Sequence, residues 1–150
     1  MSKQEWGNAV WYLIHTLSHK LKEDQDNHVP ILYSNLVQIA TTLPCPDCSQ
    51  HASTYISHYR NKPPTTRDEL NMFFWGMHNW VNRRLHKPQF TSKDYIDKYN
   101  LAVTPKIIKH YINVMSQNAR YDKAMMNTFH RRNMVKNFIK YINNNIYRFN

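Results

Sequence analysis

The stretch "TLPCPDCSQHA", Thr42 to Ala52, decides the fold, because it stops one helix, starts another and holds both cysteines of the chain. Pro44 pushes the residue before it out of the helical region, and Pro46 suits a first helical turn. On both sides apolar residues recur at helical spacing. Upstream the stripe is Leu32, Leu36, Ile39/Ala40 and Leu43; downstream it is Cys48, Ala52, Tyr55/Ile56 and Tyr59. The same period runs through Val10, Leu13/Ile14, Leu17 and Leu21, where the polar run "KEDQDNH" ends it. It returns in Leu70, Phe73/Phe74, Met77, Val81 and Leu85, opened by a capping box of Thr66 and Glu69 and ended by Pro88. A shorter fifth helix fits "TSKDYIDKYN", with Ser92 as its cap.

Four such helices joined by short loops predict an all-α protein built as a four-helix bundle. With 2 glycines and 7 prolines, the latter mostly between periodic segments, the composition favours helices over a turn-rich β architecture. At 150 residues the chain is long enough to bury a core without disulfide staples, and two cysteines cannot build a disulfide framework. No apolar run reaches membrane-spanning length, and "MSKQEWGNAV" lacks the basic-then-apolar pattern of an export signal. The expectation is a protein that keeps away from membranes and works in the cytoplasm.

The net charge of +10 is unevenly spread. Residues 1–104 carry 11 Lys+Arg against 9 Asp+Glu, whereas residues 105–150 carry 9 Lys+Arg against Asp122 alone. Two domains are read from this: a nearly neutral body over 1–104 and a basic, helical extension over 105–150. The extension has apolar stripes of its own, Ile107/Ile108, Tyr111/Ile112 and Met115, then Val135, Phe138/Ile139, Ile142 and Ile146. Its basic residues at 106, 109, 120, 123, 131, 132, 136 and 140 suit nucleic acid or an acidic partner, and a non-enzymatic binding module is the alternative function. The apolar stripes favour packing against the bundle or a partner chain.

The C-x-x-C has three readings. Zinc needs about four ligands, and with no further cysteine two or three of the nine histidines would have to complete the set, so no metal site is expected. Two buried structural thiols are the ordinary alternative. Redox chemistry is favoured, because a helix N-terminus stabilises thiolate and lowers a thiol pKa. A dithiol that shuttles electrons needs an acceptor, and no second dithiol exists. His78, Asn82 and Leu85 lie at i, i+4 and i+7 and share one helix face, the mixture of polar groups and apolar wall that a buried flavin requires. Lys87, just beyond, suits its phosphates.

Three stretches together resemble the Erv/ALR family of FAD-linked sulfhydryl oxidases: "WGNAVWYLIH" (Trp6–His15), "LPCPDCSQHA" (Leu43–Ala52) and "HNWVNRRLHKP" (His78–Pro88). They are similar, in order and separation, to the family's W-x-x-x-H helix, its C-x-x-C and its H-N-x-V-N-x-x-L-x-K-P signature. The likeness spans the chain to about Tyr99 and is greatest to the compact members of large cytoplasmic DNA viruses. It implies a bundle cradling FAD with a short fifth helix, and a homodimer that is non-covalent here. It implies a catalytic pair in which Cys45 exchanges with a client dithiol protein, such as a small thioredoxin-like carrier, and Cys48 meets the flavin, with O2 reduced to H2O2. Gly7, Trp11, His15, His78, Asn79, Val81, Asn82, Leu85 and Lys87 match its cofactor-holding positions, and His51 and Tyr55 line the same pocket. The family's upstream shuttle C-x-x-C and further structural cysteine pair are missing, and Asn8 stands where many members carry arginine. The viral likeness points to host cytoplasm or virion, with the mitochondrial intermembrane space as the alternative.

Overall fold

The computed structural model describes residues 2–117 and 128–150, and all its regular structure is helical. Helix α1 (Lys3–Lys20) opens on a capping box, Ser2 accepting from the Glu5 N–H while the Glu5 carboxylate accepts from the Ser2 N–H. The polar run that ends it is itself a 3-10 helix (Glu23–His28), which leads into α2 (Val29–Thr41). α3 (Pro46–His58) begins at the second of the two prolines, as its first-turn preference predicts. α4 (Arg67–Arg84) is capped by Thr66, which accepts from the Glu69 N–H. The expected reciprocal half of that box is redirected, since the Glu69 carboxylate accepts from Thr65 Oγ1 at 2.8 Å. α5 (Ser92–Asn100) is capped by Thr91 with Asp94, one residue before the predicted Ser92. The extension forms α6 (Thr104–Met115) and α7 (Thr128–Asn145), then a 3-10 turn at Ile146–Arg148. Arg120 and Lys123 of the basic set lie outside the described residues.

α1 is the hub, packed against α2, α4, α5 and α6. Leu13, Leu17, Leu32, Leu36, Leu70 and Phe74 are wholly buried at the centre of the bundle. The same hydrophobic core continues into the extension through Ile108, Tyr111, Val114, Val135, Phe138 and Phe149. Polar bonds tie the two together at their far end. His28 Nε2 and the Tyr141 hydroxyl lie 2.8 Å apart, the Lys22 N–H donates to the Arg148 carbonyl (2.9 Å), and the Asn150 N–H donates to the Lys20 carbonyl (2.8 Å). The change of charge at 104/105 therefore falls within one continuous core, inside the first turn of α6. Among the described residues no helix is long and apolar enough to cross a membrane.

One close approach sets the spacing of α3 and α4. A Cβ at Gly76 would stand 2.7 Å from the Tyr55 hydroxyl oxygen, inside any permitted contact. Glycine lets Tyr55 lie against α4, where its hydroxyl donates to the Phe73 carbonyl at 3.4 Å.

Candidate functional site

Cys45 is the N-cap of α3, and its sulfur accepts from the Cys48 N–H at 3.4 Å. Both cysteines are free thiols. The N-cap position satisfies one of the unpaired N–H groups at the helix start. Accessibility runs opposite to the expectation that Cys45 is the open thiol. Cys45 is 7% exposed within the core cluster, while Cys48, one turn on, is half-buried. Nor is Cys48 activated by the helix terminus. Its pKa is pushed up to about 12, first by burial, then by the hydrogen bond and charge of Cys45 and by Asp47, with Lys3 acting in the opposite sense. Burial, reinforced by the neighbouring Cys45, disfavours the thiolate there in spite of the helix N-terminus.

Of the charges acting on Cys48, Lys3 in the first turn of α1 is the one that favours the thiolate. Lys3, Gly7, Trp11 and His15 follow one another at four-residue intervals and form one ridge of that helix. Gly7 leaves its ridge position open, since a methyl group there would meet nothing within 4 Å. Farther along, Trp11 and His78 of α4 stack face to face, ring centroids 3.9 Å apart and planes 3° from parallel. His15 lies nearly parallel to both, 12° from Trp11 and 15° from His78, and its Nε2 is 2.9 Å from His78 Nδ1. Lys3 to Trp11 is eight residues, about 12 Å along the axis, so the ridge that carries Trp11 and His15 begins at the lysine whose charge acts on Cys48.

Both histidines are held neutral. Burial first, then the charges of His78 and Lys98, keep His15 well below the ordinary imidazole range. Burial, then Lys98 and Lys87, bring His78 down to about 3. In a neutral pair one ring donates and the other accepts. His15 Nδ1, wholly buried, has no hydrogen-bond partner among the described residues.

The remaining predicted residues divide by what their polar atoms do. Asn79 is buried and spends its amide on the backbone of Phe90, donating to the Phe90 carbonyl at 2.9 Å and accepting from the Phe90 N–H at 3.1 Å. Trp75 Nε1 donates to the same carbonyl at 3.1 Å. Asn82 is buried, and its carbonyl accepts from the Lys87 N–H at 2.8 Å, closing the turn in which His86 takes φ 56°. Val81 is half-buried, Leu85 is 48% exposed and Lys87 is exposed. α4 ends at Arg84, short of Pro88, because Leu85 already caps it. On α3, His51 meets Trp80 edge-on at 6.3 Å and Tyr55 meets it at 5.7 Å. Cys48, His51 and Tyr55 thus form one stripe at i, i+3 and i+7.

Sequence reasoning missed the wall behind the stack. Phe90 packs edge-on to His78 at 5.0 Å, and Tyr95 packs edge-on to His15 at 5.0 Å. Tyr99 lies 5.0 Å from His15, and Trp80 is covered by the Arg84 guanidinium at 4.5 Å. The Tyr95/Tyr99 pair at helical spacing was the available signal; nothing in sequence says which rings α5 faces.

A profile of the Erv1/Alr family matches residues 8–100. The chain belongs to this family. Over 98 residues it is 33% identical to 096R of Invertebrate iridescent virus 3, named as a FAD-linked sulfhydryl oxidase; the match covers 64% of this chain and 66% of that protein. It is 27% identical over 90 residues to OPG072 of Monkeypox virus, covering 60% of this chain and 90% of the relative. It is 28% identical over 91 residues to ERV1 of Oryza sativa subsp. japonica, covering 60% and 46%. Both bear the same enzymatic name. In this Erv1/Alr chain the donor set fits a flavin nucleotide. Trp11 and His78 offer flat, half-buried rings, and His15 Nδ1 is a polar atom that the described residues leave unmatched. Lys87 supplies a cation near His78, and the dithiol stands at the start of the neighbouring helix α3.

Proposed function

We propose that the chain is a FAD-dependent thiol oxidase that makes disulfide bonds in client dithiol proteins. The observation that carries this is the near-parallel Trp11–His78 stack with the unmatched Nδ1 of His15 beside it, in a chain whose two cysteines form one C-x-x-C at the start of α3. Trp11, His15, His78, Val81, Asn82 and Lys87 would hold the cofactor, with Gly7 leaving room for close approach and Leu85, His51 and Tyr55 completing the apolar side. When bound, FAD supplies a two-electron acceptor for the dithiol and a route from it to O2, which is reduced to H2O2.

The protein's own steps are sulfur chemistry. A client thiolate attacks the Cys45 sulfur of the Cys45–Cys48 disulfide, and the bond electrons leave on Cys48; the client's second thiolate then displaces Cys45, completing the client disulfide. One dithiol and one disulfide stand on each side of the exchange, so the client is oxidised and the Cys45–Cys48 pair is left reduced. The high pKa of Cys48 keeps a proton on its sulfur in the resting dithiol. Because Cys45 is buried, client attack requires the exposed Pro46–Asp47 turn beside it to give way. His15 and His78, neutral across the physiological range, add no positive charge beside the ring system.

Both cysteines serve this pair, so a homodimer would be non-covalent. The viral relatives favour host cytoplasm or virion as the setting, and the plant relative keeps the mitochondrial intermembrane space as the alternative. The test is a visible spectrum of the purified chain followed by oxygen uptake with a dithiol. A flavin band at about 450 nm and dithiol-dependent uptake are expected; folded protein that stays colourless with added FAD overturns the reading.

A further inference from the structure

A second feature lies outside the family-matched residues 8–100, between α6 and α7. A shallow cavity of about 320 Å³ is floored by Ile108 and Ile112 of α6, by Ile139 and Ile142 of α7 and by Ile146 at the start of the following 3-10 turn, with Lys109 in its wall. The isoleucines repeat at three- and four-residue spacing, so the floor runs for about two turns, some 10 Å, from Ile139 to Ile146 and for about one turn, some 6 Å, along α6. Among the described residues from 104 onward there is no Asp or Glu. Lys106, Lys109, Arg132, Lys136 and Lys140 are all exposed. Lys136 lies three residues before Ile139, and Lys140 lies three before Asn143, which also lines the cavity. The apolar floor is therefore bordered by cations on the α6 side and on the α7 side.

We propose that this groove docks an amphipathic helix of a partner protein, one with an apolar stripe at i, i+3/i+4 and i+7 and acidic residues on both flanks. Helix-in-groove recognition uses such anchors, and charge complementarity fixes the sign of the flanks. A second copy of this chain meets the groove with lysines against lysines and is disfavoured. Nucleic acid would neutralise the rims but leave the isoleucine floor without a partner. The site is independent of the thiol oxidase reading, because none of its residues belongs to the dithiol or the ring stack.

The test titrates the full chain, carrying 13C-labelled isoleucine methyls, with a synthetic helical peptide of about five turns that bears a Leu stripe flanked by Glu. A second peptide has the same stripe flanked by Lys. Saturable shifts are expected at Ile108, Ile112, Ile139, Ile142 and Ile146, with the bundle residues Ile14 and Ile39 unmoved. The Glu-flanked peptide should bind at least about tenfold more tightly. Ile146→Glu, at a position 43% exposed and so safe for folding, should abolish the shifts. The double change Lys109→Glu with Lys136→Glu should invert the preference between peptides. No saturation at millimolar peptide, equal affinity for both flanks, or duplex DNA moving the same methyls at lower concentration than the peptide would each overturn the proposal.

Discussion

The bundle over residues 8–100 and the layer formed by α6 and α7 bury similar residue types but use them differently. In the bundle, polar groups are taken inside. His15, Asn79 and Asn82 are buried, and Trp11 and His78 keep one face half-open. The layer sends large apolar side chains inward and sets lysines outside, with Thr104 and Arg131 its buried polar side chains among the described residues. Burial of an imidazole costs stability unless it is paired, and here buried His15 pairs through one nitrogen with half-buried His78 and leaves the other without a partner among the described residues. A region that only had to fold would not accept that cost. The difference separates chemistry from scaffold, and the scaffold is what α1 leans on from the other side.

Removing residues after Val103 is the harshest way to break the comparison. It strips Tyr111, Val114, Phe138 and Ile142 from the core, and at about 1.5–3 kcal/mol for each buried side chain the loss approaches the whole stability of a domain. Aggregation or a molten chain is expected by circular dichroism; a truncated chain that melts like the full one would show the bundle self-sufficient. Next, Cys48→Ser should lower dithiol turnover by about a thousandfold or more while the flavin spectrum stays in place, as oxygen-electrode traces would reveal. Phe138→Ala, a change confined to the layer, should cost about 3–5 kcal/mol in urea melts yet leave turnover per folded molecule unchanged.

Smaller effects sharpen the same contrast. His15 and His78 have depressed folded pKa values, so the unfolded chain binds more protons below its ordinary imidazole pKa of about 6.5. Their contribution is fully present above that value and is lost as pH falls from there towards about 3 for His78. The slope is about 1.4 kcal/mol per pH unit for each histidine, and urea melts between pH 7 and pH 5 should show it. Replacing His78 by Phe should flatten it. Tyr141→Phe removes only the bond to His28 and should cost about 1 kcal/mol, with no change in flavin affinity.

Periodicity and proline made the helices legible. Val10 to Leu21 and Leu70 to Leu85 could hardly be anything else, and Pro46 marked the start of α3. What escaped was decided by competition among neighbours. Thr91 took the α5 cap because Asp94, not Tyr95, stands three residues on, and Glu69 chose Thr65 over Thr66. At the site, the H-N-x-V-N stretch pointed to His78 and Asn82, but Asn79 and Phe90 hold each other through contacts made only when the post-α4 turn folds back. The order of thiol burial was likewise invisible, since sequence supplies an N-cap but not what covers it.

The missing methyl at Gly76 also gauges the machine. The dithiol rides on α3 and His78 on α4, and these two helices touch where Tyr55 fits against a bare backbone. A methyl group there would force the Tyr55 hydroxyl off its seat on α4. The missing atom thus sets how closely the helix of the dithiol can lie against the helix of His78.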